Sequence, residues 1–418
     1  MKDALKRAGI LPWVLLAIAL GIVCGLFFPD WLIRVFVTFN ELFSQFLSFA
    51  IPLIIVGLIV PAIADLGRGA GKWLGVTAAI AYGSTLFAGF LTFFVAKATY
   101  PTIISSADSA VSLDDPTANS LSGYISALEI PPVFGVMTAL VLAFVLGIGL
   151  SLAPRGVIRK AFIEFREIIT ELIAKIIIPL LPLHIFGIFL NLTAAGSILD
   201  ILSVLGKVVV VVLLLEVVIL GTQYGIAGAI AKKNPFKALG NMLPAYFTAL
   251  GTSSSAATIP VTLRSTLNNG VSKPVASFVV PLCATIHLAG STSKITAFAM
   301  AVIVMQGLPV TTMQLIGFIM MLGVIMIAAP GVPGGAIMAS VGILSSMLGF
   351  DDAAIGLMIA TYIALDSFGT ATNVTGDGAI AMVVDKLAKG NIGEVTESAE
   401  SFVHRAEFDA ETYMETVN

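Results

Sequence analysis

The chain has 418 residues, of which 58% are hydrophobic and only 11% charged, and its mean hydropathy is +1.02. Soluble domains carry roughly 25% charged residues, so the chain lacks the charge to coat two or three of them, and a membrane is the solvent that fits. The net charge of −3 is small and no basic cluster suggests nucleic acid, and two cysteines in apolar segments, Cys24 and Cys283, make no disulfide framework.

The basic start, with Lys2, Lys6 and Arg7, leads into an apolar run ending at Phe28. No small-residue cleavage site follows, so the run reads as a first membrane helix rather than a leader. A spanning helix needs roughly 20 mostly apolar residues. That length predicts eight, at 9–28, 32–64, 73–97, 133–153, 167–196, 200–231, 274–306 and 352–385. Two further apolar stretches, 242–270 and 311–348, are interrupted by Gly251-Thr-Ser-Ser-Ser255 and Pro330-Gly-Val-Pro-Gly-Gly335. Hydrocarbon cannot satisfy backbone groups exposed at such breaks. Both are therefore expected to be re-entrant helical hairpins. The Glu- and Ser-containing tail from about 390 reads as a soluble end.

The charges agree with this plan, since Lys and Arg mark cytoplasmic connections. Arg68 and Lys72, the group from Arg155 to Arg166, and Lys232, Lys233 and Lys237 fall inside; the acidic 98–132 loop falls outside. With two hairpins, Arg264 and Lys273 also lie inside, as do both termini. The second half then contains an inverted repeat of hairpin plus helix. Secondary transporters hold their substrate where such broken elements meet.

From Gly240 through Phe350 there is no acidic residue; the last helix, 352–385, which is polar and expected to be broken, then presents Asp366 and Asp377 with Thr370, Thr372, Asn373 and Thr375 between them. A lone hydroxyl can be interhelical glue. Two intramembrane carboxylates in one polar cluster instead mark a wet binding interior. Eleven residues apart, about 16 Å of helix rise, they share a face but are too distant to act as a protease dyad. Lys294 reads either as a partner for an Asp, or as a clamp for a substrate carboxylate or a replacement for a coupling cation. His287 reads either as a packing residue or as a protonatable coupling group. No repeated pore filter suggests a channel.

Thr252-Ser-Ser-Ser-Ala-Ala-Thr-Ile-Pro-Val-Thr-Leu263, Gly331-Val-Pro-Gly-Gly-Ala-Ile-Met338 and Asn373-Val-Thr-Gly-Asp377 resemble the hallmark motifs of the dicarboxylate/amino acid:cation symporter family. Glutamate transporters, neutral amino acid transporters and archaeal aspartate transporters belong to it. The resemblance covers nearly the whole chain. It implies an all-α polytopic homotrimer in the cytoplasmic membrane, not an enzyme, with an elevator-like transport domain (72–98 and 206–390). The scaffold would be 1–71 and 99–205, the latter including the extracellular loop, and 391–418 a cytoplasmic tail. It also implies that Ser254, Ser255 and Asn373 face a substrate carboxylate, that Asp366 binds the amino group, and that Val332, Gly334 and Gly335 close over it. Ser291, Lys294, Gly369 and Thr370 would line the pocket. Carbonyls at Cys283, His287 and Asn373 with Asp377 resemble one sodium site, and the Thr285 carbonyl part of another.

The chain departs from this family where cations bind. Its His287-Leu-Ala-Gly-Ser291 stands where members usually read Asn-Met-Asp-Gly-Thr, so Ala289 replaces a sodium-ligating Asp and Leu288 a thioether. The expected helix-3 partners of that third site are Thr77, Ile80 and Ala81. Gly369 stands where members selecting acidic substrates carry Arg. The sequence thus points to a carrier of an amino acid or related carboxylate with reduced or altered sodium coupling. A dicarboxylate carrier using Lys294 as a clamp, and a proton-coupled or uncoupled facilitator, are the alternatives.

Overall fold

A computed structural model describes residues 11–66, 72–104, 130–152, 156–196, 198–331 and 333–388, and no strand occurs among them. The first helices are α1 (Leu11–Gly25), α2 (Asp30–Leu66), α3 (Lys72–Ile103) and α4 (Val136–Leu152). Next, α5 (Val157–Leu172) runs through a π-turn at Ile173–Ile177 into α6 (Ile178–Ala194). Pro179 and Pro182 have no N–H for the preceding turn, and the ladder widens where they enter. This continuous element starts ten residues before the apolar run predicted at 167–196. Its first turns are amphipathic: Phe162, Phe165 and Ile169 pack inward, while Lys160, Glu164 and Glu171 stay exposed. An apolar-run search misses such a start.

The second half is built from broken pieces. After α7 (Ile198–Ala231) and the short α8 (Pro235–Asn241) come α9 (Leu243–Thr252) and α10 (Ser255–Asn268), which pack against each other as the first hairpin. Then follow α11 (Lys273–Ile286), α12 (Ala289–Gln306), and the second hairpin of α13 (Thr312–Ala328) and α14 (Gly335–Leu348). Last come α15 (Asp352–Ala364) and α16 (Asp366–Ala388), bent by 61° at Leu365.

Five helical elements are long and apolar enough to cross a membrane: α2, α3, α5–α6, α7 and α11–α12; the bent α15–α16 pair makes a sixth if it is one span. Among the described residues α1 and α4, predicted as full spans, are apolar helices of 15 and 17 residues. The chain is therefore a multi-pass membrane protein.

Packing positions the site. Helix α16 is wrapped by α7, α9, α10, α11 and α12; α3 lies along α12; and α2 packs against α4, α5 and α6. These two groups meet where α13 and α14 cross α2 and where α15 touches α6. A cavity of about 220 Å³ sits at that seam, lined among others by Ser44, His184, Val341 and Asp352. None of its lining residues belongs to the polar cluster described next.

Candidate functional site

The tips of the two hairpins touch. Between α9 and α10 the chain reverses at Ser253, held in the left-handed region at φ 49°, a conformation that costs a non-glycine residue about 1 kcal/mol or more. Ser254 follows in extended conformation as the N-cap of α10, its Oγ accepting from Ala257 N. The same hydroxyl donates to the Gly331 carbonyl of the second hairpin at 2.9 Å. At the other tip Gly334 adopts φ 74°, and its N–H donates to Asp366 Oδ2 at 2.7 Å. Ser255 and Gly335 are buried beside these contacts. Val332 lies outside the described residues.

Beneath the tips sits Lys294, with none of its surface exposed. Burying an unpaired ammonium costs several kcal/mol, and three features offset it. The bend at Leu365 turns two backbone carbonyls toward it: Lys294 Nζ donates to those of Leu365 at 2.9 Å and Asp366 at 3.2 Å. Asp366 Oδ1 lies 3.5 Å away. The ammonium also stands 4.2 Å from the centroid of the Tyr362 ring, within cation–π range. The Tyr362 hydroxyl in turn donates to Ser291 Oγ, which also accepts from Asn373 Nδ2 at 3.0 Å. Asn373 Oδ1 accepts from the Gly290 and Ser291 N–H groups, capping the first turn of α12. Thr370 is buried on α16 nearby in sequence.

Two glycines on α16 explain why the basic groups fit. A Cβ at Gly369 would land on Lys294 Cε and lie 2.5 Å from its Nζ; one at Gly376 would lie 2.6 Å from His287 Cε1. Gly369 and Gly376 are seven residues apart, and so are His287 and Lys294. Gly290 crosses α16 so closely that its own Cβ would stand 2.6 Å from the Gly369 carbonyl. Small residues thus let the helices approach while each glycine houses one basic side chain. Gly369, read from sequence as a missing arginine, is the space that Lys294 fills.

His287 and Lys294 do not share one continuous helix. His287, extended, and Leu288, also non-helical, separate α11 from α12. His287 Nδ1 lies 2.9 Å from Asp377 Oδ1, and its Nε2 lies 3.0 Å from Ser84 Oγ. Gln223 donates to Ser84 Oγ at 2.8 Å. The α3 residue that reaches the break is therefore Ser84. Thr77, Ile80 and Ala81 lie one to two turns away, and Ala88 packs beside Ala289. The signal for Ser84 and Gln223 was a short polar step in an apolar run, Ser84-Thr85 and Thr222-Gln223, which is weak; Tyr362 carried no signal at all.

These residues allow a test of fit for a coupling cation. No group of three or more His, Cys, Asp and Glu occurs among the described residues, so a transition-metal site is not built here. Asp377 Oδ2 is buried without a hydrogen-bond partner, as an oxygen awaiting a cation would be. Its other oxygen is taken by the imidazole. The Cys283 carbonyl accepts from the His287 N–H, and the Thr285 hydroxyl turns back to Leu282 O. Ala289 offers no side-chain oxygen. The buried Asp377 Oδ2 fits a cation, and position 289 supplies no carboxylate for a further one.

The chain is 26% identical over 414 residues to the serine/threonine transporter SstT of Acinetobacter baylyi, covering 93% of this chain and 100% of that protein. Rat excitatory amino acid transporter 1 is 32% identical over 282 residues (66% of this chain, 49% of that one). The mouse excitatory amino acid transporter 2 is 27% identical over 276 residues, 65% and 47% respectively. The chain thus spans about half the length of the excitatory amino acid transporters it matches. These relatives are transporters rather than enzymes, and the profile of the sodium:dicarboxylate symporter family matches residues 10–387: the chain belongs to that family.

Proposed function

We propose that the chain is a secondary transporter moving an amino acid or related carboxylate across the cytoplasmic membrane, with weakened sodium coupling. The observation that carries this reading is the buried Lys294–Asp366 pair beneath the two hairpin tips. A zwitterion matches it charge for charge. The substrate ammonium takes Asp366, displacing the Gly334 N–H and Lys294; the freed Lys294, with Ser291, Asn373 and the first hairpin tip, takes the carboxylate. A dicarboxylate satisfies Lys294 but meets Asp366 with like charge. Gly334 leaving Asp366 separates the second tip from the site, which makes that hairpin the gate. The α3 and α7–α16 group then moves past α1, α2 and α4–α6 as an elevator, within a homotrimer whose termini are cytoplasmic. A thermal-shift screen of amino acids and dicarboxylates, each in sodium, potassium and choline, tests the reading. Stabilisation by dicarboxylates alone overturns it in favour of the Lys294-clamp carrier.

A cation at Asp377 would be held by Oδ2 and nearby backbone carbonyls, and would supply positive charge without protonation. His287 already satisfies Oδ1. Linkage between cation and substrate is reciprocal, so the expected effect of saturating sodium on substrate affinity is about tenfold or less, about 1.4 kcal/mol. Isothermal titration at several sodium concentrations measures it. A steep dependence on several sodium ions would show that backbone carbonyls rebuild the missing site.

A further inference from the structure

Glu216 on α7 is the single charged residue between Lys207 and Lys232. It is buried, 3% exposed, and neither carboxylate oxygen has a well-formed hydrogen bond. The Thr372 hydroxyl of α16 is directed at it as a donor. An isolated carboxylate in such a place carries a desolvation penalty of several kcal/mol, and the usual escape is to bind a proton. Helix α7 packs on both α12 and α16, and Thr372 lies one turn from Gly369, against which the Lys294 side chain rests, so the ammonium shares this stretch of α16 with Glu216 and disfavours a metal cation there. The other ionisable neighbours Glu216 acts on are Tyr246 of α9 and Tyr362 of α15. Helix α16 also carries Asp366 and Asp377, and α3 meets this part of α7 through Ala88 and Leu91 beside Ile219 and Ala289.

We propose that Glu216 is a proton-binding site linked through Lys294 to the substrate site. A proton from water binds one Glu216 oxygen and neutralises it, leaving the Lys294 ammonium to the substrate carboxylate. When the proton leaves, the Glu216 carboxylate competes with the substrate for that ammonium. Proton binding therefore strengthens substrate binding, and by reciprocity substrate favours the proton. This linkage rests on the transporter reading above; the protonation of Glu216 does not.

Infrared spectroscopy of the full-length protein in detergent reads the proton directly. At neutral pH a protonated-carboxyl band is expected that Glu216→Gln removes; an unchanged band in the variant overturns the proposal. Should that variant fail to fold, wild-type protein with 13C-labelled glutamate replaces it. A label-sensitive band is expected to survive Glu41→Gln, since Glu41 Oε2 is also buried and unpartnered; a band that is label-insensitive or lost with Glu41 overturns the proposal. Titration with L-serine and L-aspartate then tests the linkage. Affinity is expected to fall as pH rises above neutral, through the range in which Glu216 loses its proton, by up to about tenfold per pH unit for one linked proton. Glu216→Gln is expected to flatten this profile and His287→Asn to preserve it, and the reverse result assigns the coupling to His287 and overturns the linkage. If neither amino acid binds, the substrate reading fails, while the infrared band still decides Glu216.

Discussion

Asp366→Asn is expected to reduce amino-acid affinity by on the order of 100-fold or more while the protein stays folded. The reason lies in what the carboxylate does in each state. Without substrate it accepts from Gly334 N and balances Lys294 at 3.5 Å. With substrate it is the one acidic group at the tips able to take an ammonium. Removing one partner of a buried charge pair costs roughly 3 kcal/mol or more, much of it the penalty of the charge left behind. Folding survives because Lys294 keeps two backbone carbonyls and the Tyr362 ring, and Asn at 366 still offers an oxygen to Gly334. Calorimetric titration with L-serine and L-aspartate, alongside a thermal melt, separates binding from stability. Unchanged affinity would mean that Asp366 serves only Lys294, and that the substrate is not recognised by its amino group.

The sequence made part of this site legible and hid the rest for physical reasons. The hairpins were readable because Gly, Ser and Pro at their centres cannot continue a helix in hydrocarbon. Asp366, Asp377, Lys294 and His287 were readable one by one, because an ionisable group in an apolar segment is expensive. Their pairing was not. Lys294–Asp366 and His287–Asp377 form across different helices, and which partner each takes depends on the glycines at 369 and 376 that make room. The break at His287–Leu288 was hidden, since neither residue is Gly or Pro; a break in the polar last helix was expected, but not its place at Leu365. Tertiary bonds hold both: Asn373 caps the start of α12 from another helix, and Lys294 donates to the Leu365 and Asp366 carbonyls at the bend. Glu216 carried the same signal as Lys294, a lone charge in an apolar run, and could have been found by the same rule.

The same geometry decides what an arginine at position 369 does. On sequence alone, Gly369→Arg supplies the guanidinium that acidic-substrate relatives use, and a shift toward aspartate follows. The structure changes that expectation, because any side chain at 369 meets Lys294 Cε and Nζ. Two cations would also share a pocket with one nearby carboxylate, Asp366, and like charges there repel. The single variant is therefore expected to lose binding of L-serine and L-aspartate alike. Gly369→Arg combined with Lys294→Ala vacates that volume and leaves one cation near its original place. A bidentate guanidinium–carboxylate pair contributes roughly 1.5–3 kcal/mol, so the double variant is expected to raise the aspartate-to-serine affinity ratio by about tenfold or more over the parent. Lys294→Ala alone separates loss of the ammonium from gain of the guanidinium, and is expected to weaken both substrates without raising that ratio. Calorimetry on the four proteins in one buffer gives the comparison. If Gly369→Arg by itself binds both amino acids with the parental ratio, then Lys294 does not occupy the space above Gly369 when substrate is bound, and the ammonium must lie elsewhere in the loaded state.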